Sequence, residues 1–280
     1  MHKSLSFFLS LFVFVLSLNA SEKIIWDTVH YPPSLISEGN YRNQGFSDMS
    51  REMFMFNLKK YKHEIESGSI QKAMQDLESN ANFCFTGLTK DKQKVKFIEF
   101  SKPFIQILPN KLIIRTKDLK RFKSYTGLKN VVNLHRLLQN SGFNFGYVEN
   151  KSYSKNIDRL LFINHDKKHL LAKELSDSRP NLVKMLSEEL FDYTIEYPTI
   201  VSYTKDELNI DVEFSHFPIM DSEELVNLYV GCSQNEFGKK VIKEVNKIIE
   251  QNKSMFVHFY KTWLDYDSKK NYQEYLTIEK

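Results

Sequence analysis

Short apolar runs of strand length alternate along this chain with stretches whose apolar residues recur three and four positions apart, and that alternation admits few folds. Ile24–Val29 (IIWDTV) reads as a buried strand ended by Tyr31-Pro32-Pro33, because proline supplies no N–H to a ladder. Asp48 is placed to cap a helix with Met49, Met53 and Phe56 on its inner face, and Asp48 and Glu52 read as its solvated side. Past Ser67-Gly68-Ser69, the residues Ile70, Ala73, Met74 and Leu77 follow helical spacing, and Phe83-Cys84-Phe85 and Lys111–Arg115 (KLIIR) are further strands. From Thr116 the pattern repeats. It predicts a helix over 133–139, a strand over Phe143–Val148 and a helix from Ser154 that buries Ile157, Leu160 and Leu161. Pro180 suits the first turn of a helix with Leu182, Met185 and Leu186, and Tyr193–Tyr197 is a strand stopped by Pro198. Leu228–Cys232 adds a strand, and Phe237, Val241, Val245 and Ile248 mark a last helix. Strands alternating with helices predict an α/β protein with a mostly parallel sheet. No Pro/Gly/Ser linker divides the two units, so strand-like crossings should join them.

The first twenty residues read as an address. His2 and Lys3 give a positive start, Leu5–Leu18 is an apolar run broken only by serines, and Asn19-Ala20 offers a small residue before Ser21. The run is shorter than the roughly 20 apolar residues a membrane span needs, which favours a cleaved signal peptide over an anchor. No cysteine follows it for lipid attachment, and no later stretch has membrane length. Export then leaves about 260 of the 280 residues, enough for two modest lobes. Loss of Lys3 takes the net charge from +4 to +3, and neither a basic stripe nor a nucleic-acid motif is present, so no nucleic-acid partner is expected. The two cysteines, Cys84 and Cys232, are either a disulfide formed in an oxidising compartment or a pair of buried thiols.

Enzyme signatures are missing from the sequence. There is no His-Glu-x-x-His motif, no Gly-x-Ser-x-Gly elbow and no glycine-rich phosphate loop. His165 and His169 stand four apart in a polar HDKKH stretch that reads as surface. No cofactor, metal site or catalytic residue is expected.

Four local patterns occur in order over about 80 residues: Tyr31-Pro32-Pro33, Gly45-Phe46-Ser47-Asp48, Thr86-Gly87-Leu88-Thr89 and Phe100-Ser101-Lys102-Pro103-Phe104. Together they resemble the first lobe of the family 3 extracellular solute-binding proteins, the amino-acid-binding type. Fainter likeness continues through Gly146–Tyr153, Phe191–Tyr197 and Gly238–Trp263. The resemblance implies the type II periplasmic-binding-protein fold, two α/β lobes joined by a two-strand hinge. Lobe one would take residues 21–114 and 224–280, and lobe two residues 115–223. It further implies that the strands of Cys84 and Cys232 lie in one lobe, which favours the disulfide.

The resemblance also assigns a ligand-binding set. Tyr31 matches an aromatic that packs on ligand, and Thr86 and Thr89 sit in a loop that presents hydroxyls and N–H groups. Six residues before Phe100, where the family places an arginine, this chain has Lys94; a point charge cannot reproduce the planar fork on a carboxylate. That departure weakens the expectation of an α-amino acid. Ser152 would face an anion at a helix start, Tyr153 would add a second aromatic wall, and Glu196 would meet a ligand amine at a strand end. Each has a plainer reading: packing residue, turn former, solvated face or helix cap.

The chain therefore reads as a monomeric periplasmic binding protein, without enzymatic activity, that captures a small polar solute for an inner-membrane ABC permease. The solute would be an amino acid or a related carboxylate. The alternatives are a sensing module for a membrane receptor, a dehydratase-like enzyme of the same fold, and a degenerate member that binds nothing. A peptidoglycan-cleaving relative would need a further catalytic domain after Trp263.

Overall fold

The computed structural model describes residues 22–79, 81–127, 130–149, 151–173, 181–222 and 225–278. The proposed signal peptide (1–20) and Pro180 lie outside them. The first sheet is built from β1 (Lys23–Thr28), β2 (Lys62–Ser67), β3 (Phe83–Leu88), β4 (Ile98–Phe100) and β5 (Ile105–Ile107), with α1 (Phe46–Asn57) and α2 (Ile70–Glu78) between strands. The second sheet holds β6 (Lys111–Arg115), β7 (Phe145–Val148), β8 (Leu170–Lys173), β9 (Tyr193–Glu196) and β10 (Phe214–Phe217). Its helices are α3 (Leu119–Phe122), α4 (Leu134–Leu138), α5 (Lys155–Ile163), α6 (Leu182–Ser187) and α7 (Pro198–Glu207). The chain then returns through β11 (Val226–Ser233) to the first sheet and ends in α8 (Glu236–Lys261) and α9 (Tyr266–Ile278).

Strand order is β2-β1-β3-β11-β4 in the first sheet, with β5 also on β11, and β10-β6-β9-β7-β8 in the second. Pairing is parallel for β1 with β2 and β3, and for β7 with β8 and β9; every pair made by β11 or β6 is antiparallel. The sheets are thus mixed rather than mostly parallel. The strands that enter and leave the second lobe run against their neighbours, and alternation of strands and helices alone does not reveal a returning strand.

The chain passes between the sheets twice, after Ile107 and after Phe217. Just before the crossing β5 pairs with β11, and just after it β6 pairs with β10, so the two connections run side by side. Lys111–Ile114, expected in the first lobe, form a strand of the second sheet; the change of sheet falls ahead of Lys111.

Each sheet is covered on both faces. Cys84 and Phe85 are neighbours in β3 and point to opposite cores, one with Trp26, Phe54, Val245 and Phe256, the other with Val29, Leu77 and Ile98. The second sheet divides likewise between a core at Leu112, Phe122, Phe145 and Tyr193 and one at Ile113, Leu186 and Val201. Caps explain where several helices start. Side-chain oxygens of Ser69, Asn133, Ser154 and Asn235 accept the N–H three residues on.

Cys84 and Cys232 face one another in the β3–β11 register and form a disulfide that closes 148 residues of chain. Helix α1 is turned from its expected face: Met49 and Phe56 are exposed, whereas Phe46, Ser50 and Phe54 point inward. Asp48 is buried rather than solvated. Its carboxylate accepts Ile36 N at 2.7 Å and Gly45 N at 3.2 Å and lies 3.0 Å from the buried Arg51 guanidinium. A buried ion pair therefore takes the place of the apolar stripe on the inner face. Pro198 ends β9 as expected but also opens α7, a helix that the sequence reading left out; proline at the first helical turn loses no hydrogen bond.

Candidate functional site

A cavity of about 360 Å³ lies between the sheets, lined from the first by Tyr31, Phe85, Thr89 and Lys94, and from the second by Lys151, Ser152, Thr199 and Ile200. A smaller recess of about 270 Å³ shares Tyr31, Lys151 and Ile200 with it and adds Glu196. Both volumes are at or below the lower end of small-molecule sites.

On the first lobe, Tyr31 exchanges backbone hydrogen bonds with Leu35 at 2.7 and 3.0 Å, which holds the turn after β1 against the cavity. Gly87 lines the floor at φ +97°, and a Cβ there would come within 2.7 Å of Ser47 Oγ. Only glycine fits so close an approach at that backbone angle. Thr86, one residue earlier, is buried on the other face of β3; its hydroxyl has no hydrogen-bond partner among the described residues and it does not line the cavity. Thr89 does. Lys94 reaches back to it, donating to Thr89 O at 3.1 Å and Oγ1 at 3.3 Å, and pairs with Asp91 at 2.8 Å. Hydrogen bonds from Lys94, and its charge, hold the Asp91 carboxyl below its ordinary range.

On the second lobe the expected roles are redistributed. Ser152 lines the cavity, but its hydroxyl donates to Asp158 at 2.7 Å, and Asp158 also accepts Tyr153 N at 2.8 Å. The helix start that was to hold a ligand anion carries the chain's own carboxylate. Tyr153 is not an aromatic wall. It is buried in the second-sheet core, where its hydroxyl accepts Val148 N at 2.9 Å and its carbonyl accepts Asn110 Nδ2 at 2.8 Å. Burial pushes that hydroxyl up to about 12. A short aromatic after a loop looks alike in sequence whether it points into a cleft or beneath it.

Glu196 is buried at the end of β9, and Lys151 Nζ donates to its two oxygens at 2.6 and 2.7 Å. The same ammonium stands 4.8 Å from the centre of the Tyr153 ring, a cation–π distance. Sequence reasoning named Glu196 and missed Lys151. The signal was available, since a carboxylate in an apolar strand needs a cation and Lys151 precedes Ser152, which the resemblance assigns to the same ligand set. Of the expected set, the structure gathers Tyr31, Thr89, Lys94 and Ser152 around one cavity and Glu196 in the recess beside it. It leaves Thr86 and Tyr153 in the cores.

Beyond the cavity, the lobes meet at an aromatic cluster. Tyr41 and Trp263 pack edge to face at 5.4 Å, Tyr203 of α7 lies 5.7 Å from Trp263, and Tyr41 OH donates to Asp206 of α7. Helix α7 thus carries Thr199 and Ile200 at the cavity and Tyr203 and Asp206 at this contact. None of the described helices is long and apolar enough to cross a membrane.

No family model matches the sequence, and no curated protein does. Solved structures match over most of the chain. An ancestral cationic amino-acid solute-binding protein superposes with a TM-score of 0.61 at 12% identity, over 87% of this chain and 96% of its own. An amino-acid ABC transporter substrate-binding protein from Streptococcus pneumoniae, bound to L-arginine, gives 0.58 at 14% identity, over 89% and 95%. A histidine kinase sensor domain with similarity to periplasmic binding proteins gives 0.59 at 13%, over 87% and 96%. At such identities the likeness is one of fold. The chain has the two-lobed type II periplasmic-binding-protein fold, which these neighbours, amino-acid-binding proteins and a sensor domain, share.

Proposed function

We propose that this chain is an exported solute-binding protein whose lobes close on a small carboxylate-bearing solute and whose closed form is read by an inner-membrane ABC permease. One observation carries the reading: a cavity of ligand size takes its walls from both lobes, which two adjacent crossings connect. That arrangement lets hinge closure bury a ligand. In the proposal lobe two begins at Lys111 rather than after Ile114, and lobe one takes the residues before it and from 224 onward. The protein acts as a monomer, without turnover, after removal of residues 1–20. The Cys84–Cys232 disulfide suits an oxidising compartment. A second reading, a ligand-sensing module for a receptor, draws support from the sensor-domain neighbour; co-purification with a permease or with a receptor distinguishes the two.

The test is a thermal-shift screen of the exported protein against amino acids, carboxylates, polyamines and short peptides. A solute that binds only the folded state raises Tm with dose, by the equivalent of about 2.7 kcal/mol at a hundred times its Kd. Intrinsic fluorescence reports closure, because Trp263 contacts Tyr203 of the opposite lobe while Trp26, the other tryptophan, is fully buried. A hit that changes both signals, and that Lys94→Ala weakens, supports the reading. A library that moves neither signal overturns it.

A further inference from the structure

We infer that the cleft selects a carboxylate with an apolar body and no ammonium group, because the chain's own Lys151 already fills the place a ligand amine would need. This rests on the proposed binding function and narrows its ligand class.

The charges around the cavity are asymmetric. Lys94 and Lys151 both line it, and among the described residues lining it none is acidic. Glu196 stands in the neighbouring recess, behind Lys151, with both oxygens taken by that ammonium at 2.6 and 2.7 Å. The pair is nearly out of solvent, at 16% and 8% side-chain exposure. Parting such a pair strands a buried charge and is strongly unfavourable. A ligand ammonium entering the cavity therefore meets two like charges and must displace a tethered one to reach an acid.

An anion meets the opposite situation. The partner of Lys94 is Asp91, which is 49% exposed, and exposed pairs are worth little. Lys94 can turn from Asp91 to a ligand carboxylate at small cost. Thr89, whose hydroxyl Lys94 reaches at 3.3 Å, and Thr199 add polar wall to the cavity. Ser34, Ser152, Tyr31 and Tyr197 add uncharged polar groups, and much of the remaining wall is apolar, including Val29, Met74, Phe85, Ile107 and Leu228. Burying an apolar ligand body there gains about 25 cal/mol per Å², whereas an ammonium would lose its water without meeting an acid in the described lining. Amine-free branched or aromatic acids fit both halves of this lining.

Two matched pairs of probes isolate the amine: 4-methylpentanoate against leucine, and 3-phenylpropanoate against phenylalanine. Calorimetry and thermal shift on the exported protein should give each amine-free acid at least about tenfold tighter binding than its amino acid. Lys151→Met uncovers Glu196 and should move that ratio toward the amino acid by at least about tenfold. If that variant fails to accumulate, Lys151→Gln keeps a donor on Glu196 without the charge and should move the ratio the same way. Equal or tighter binding of leucine or phenylalanine by the wild type overturns the inference and leaves the binding function standing. An unchanged ratio in the folded Lys151 variants overturns it too. So does silence of all four probes in every protein, and the broad screen then decides separately whether the cleft binds any solute.

Discussion

Lys151 lays its ammonium across both carboxylate oxygens of Glu196, 45 residues further along the chain, and both side chains are nearly out of solvent. Neither charge is stable there alone. Glu196→Leu and Lys151→Met should each lower stability by about 3–5 kcal/mol, whereas the double variant Lys151→Met/Glu196→Leu should recover most of that loss. Urea unfolding of the four proteins measures the coupling. Additive single effects would mean that the two groups do not share a buried pair.

Tyr153 separates a core role from a ligand-contact role. Tyr153→Phe keeps the ring under Lys151 and removes the oxygen that accepts Val148 N at 2.9 Å. The loss leaves a buried N–H unpaired and should cost about 1–3 kcal/mol. Ligand affinity should stay within about twofold, because the residue does not line the cavity. A large affinity loss with unchanged stability would restore it to the cleft wall.

The disulfide holds the returning strand β11 beside β3 and closes 148 residues. Reduction, or Cys84→Ala/Cys232→Ala, should lower stability by about 3–5 kcal/mol in the chain-entropy model. Denaturant midpoints of the oxidised and reduced protein provide the comparison, and coincident midpoints would remove the disulfide from the stabilising contacts.

Asp27 gives the protein a pH dependence of definite sign. Burial pushes its carboxyl up to about 7 from an ordinary 3.8, and Asp76 nearby adds to the shift. Between those values the folded state holds a proton that the unfolded state has released. Asp27 therefore lowers stability progressively as pH rises from about 4 to about 7, by on the order of 4 kcal/mol. Asp27→Asn should flatten that part of the stability curve and leave the variant the more stable protein at pH 8. Parallel wild-type and Asp27→Asn curves over pH 4–8 would contradict the assignment.

Much of the fold was legible because local patterns carried it. KLIIR, FGYV and YTIE are strands where their apolar runs say so, and Ser69, Asn133 and Ser154 cap helices as side chains of their kind do. Two of the strands that were missed lack such a pattern. Lys62–Ser67 (KHEIES) is a polar edge strand that pairs only with β1, and Phe214–Phe217 gains its place at the other sheet's edge from β6. Helix α7 hid behind Pro198, which reads equally as a stop and as a first turn.

The sequence by itself determined the α/β class, the resemblance to two-lobed binding proteins and the presence of a carboxylate at Glu196 that required a partner. The class follows from periodicity and turn chemistry, the resemblance from four short motifs in order, and the need of the carboxylate from the cost of an unpaired charge, all of which act over a few residues. Tertiary structure alone decided which side chains meet: Cys84 with Cys232, Asp48 with Arg51, Asp158 with Ser152, and Lys151 with Glu196. It also sent Thr86 and Tyr153 inward while Thr89 and Lys94 stayed at the cleft. A one-residue step along a strand reverses the face, and a loop's direction depends on what it packs against, so only the assembled lobes settle what the cavity shows to a ligand.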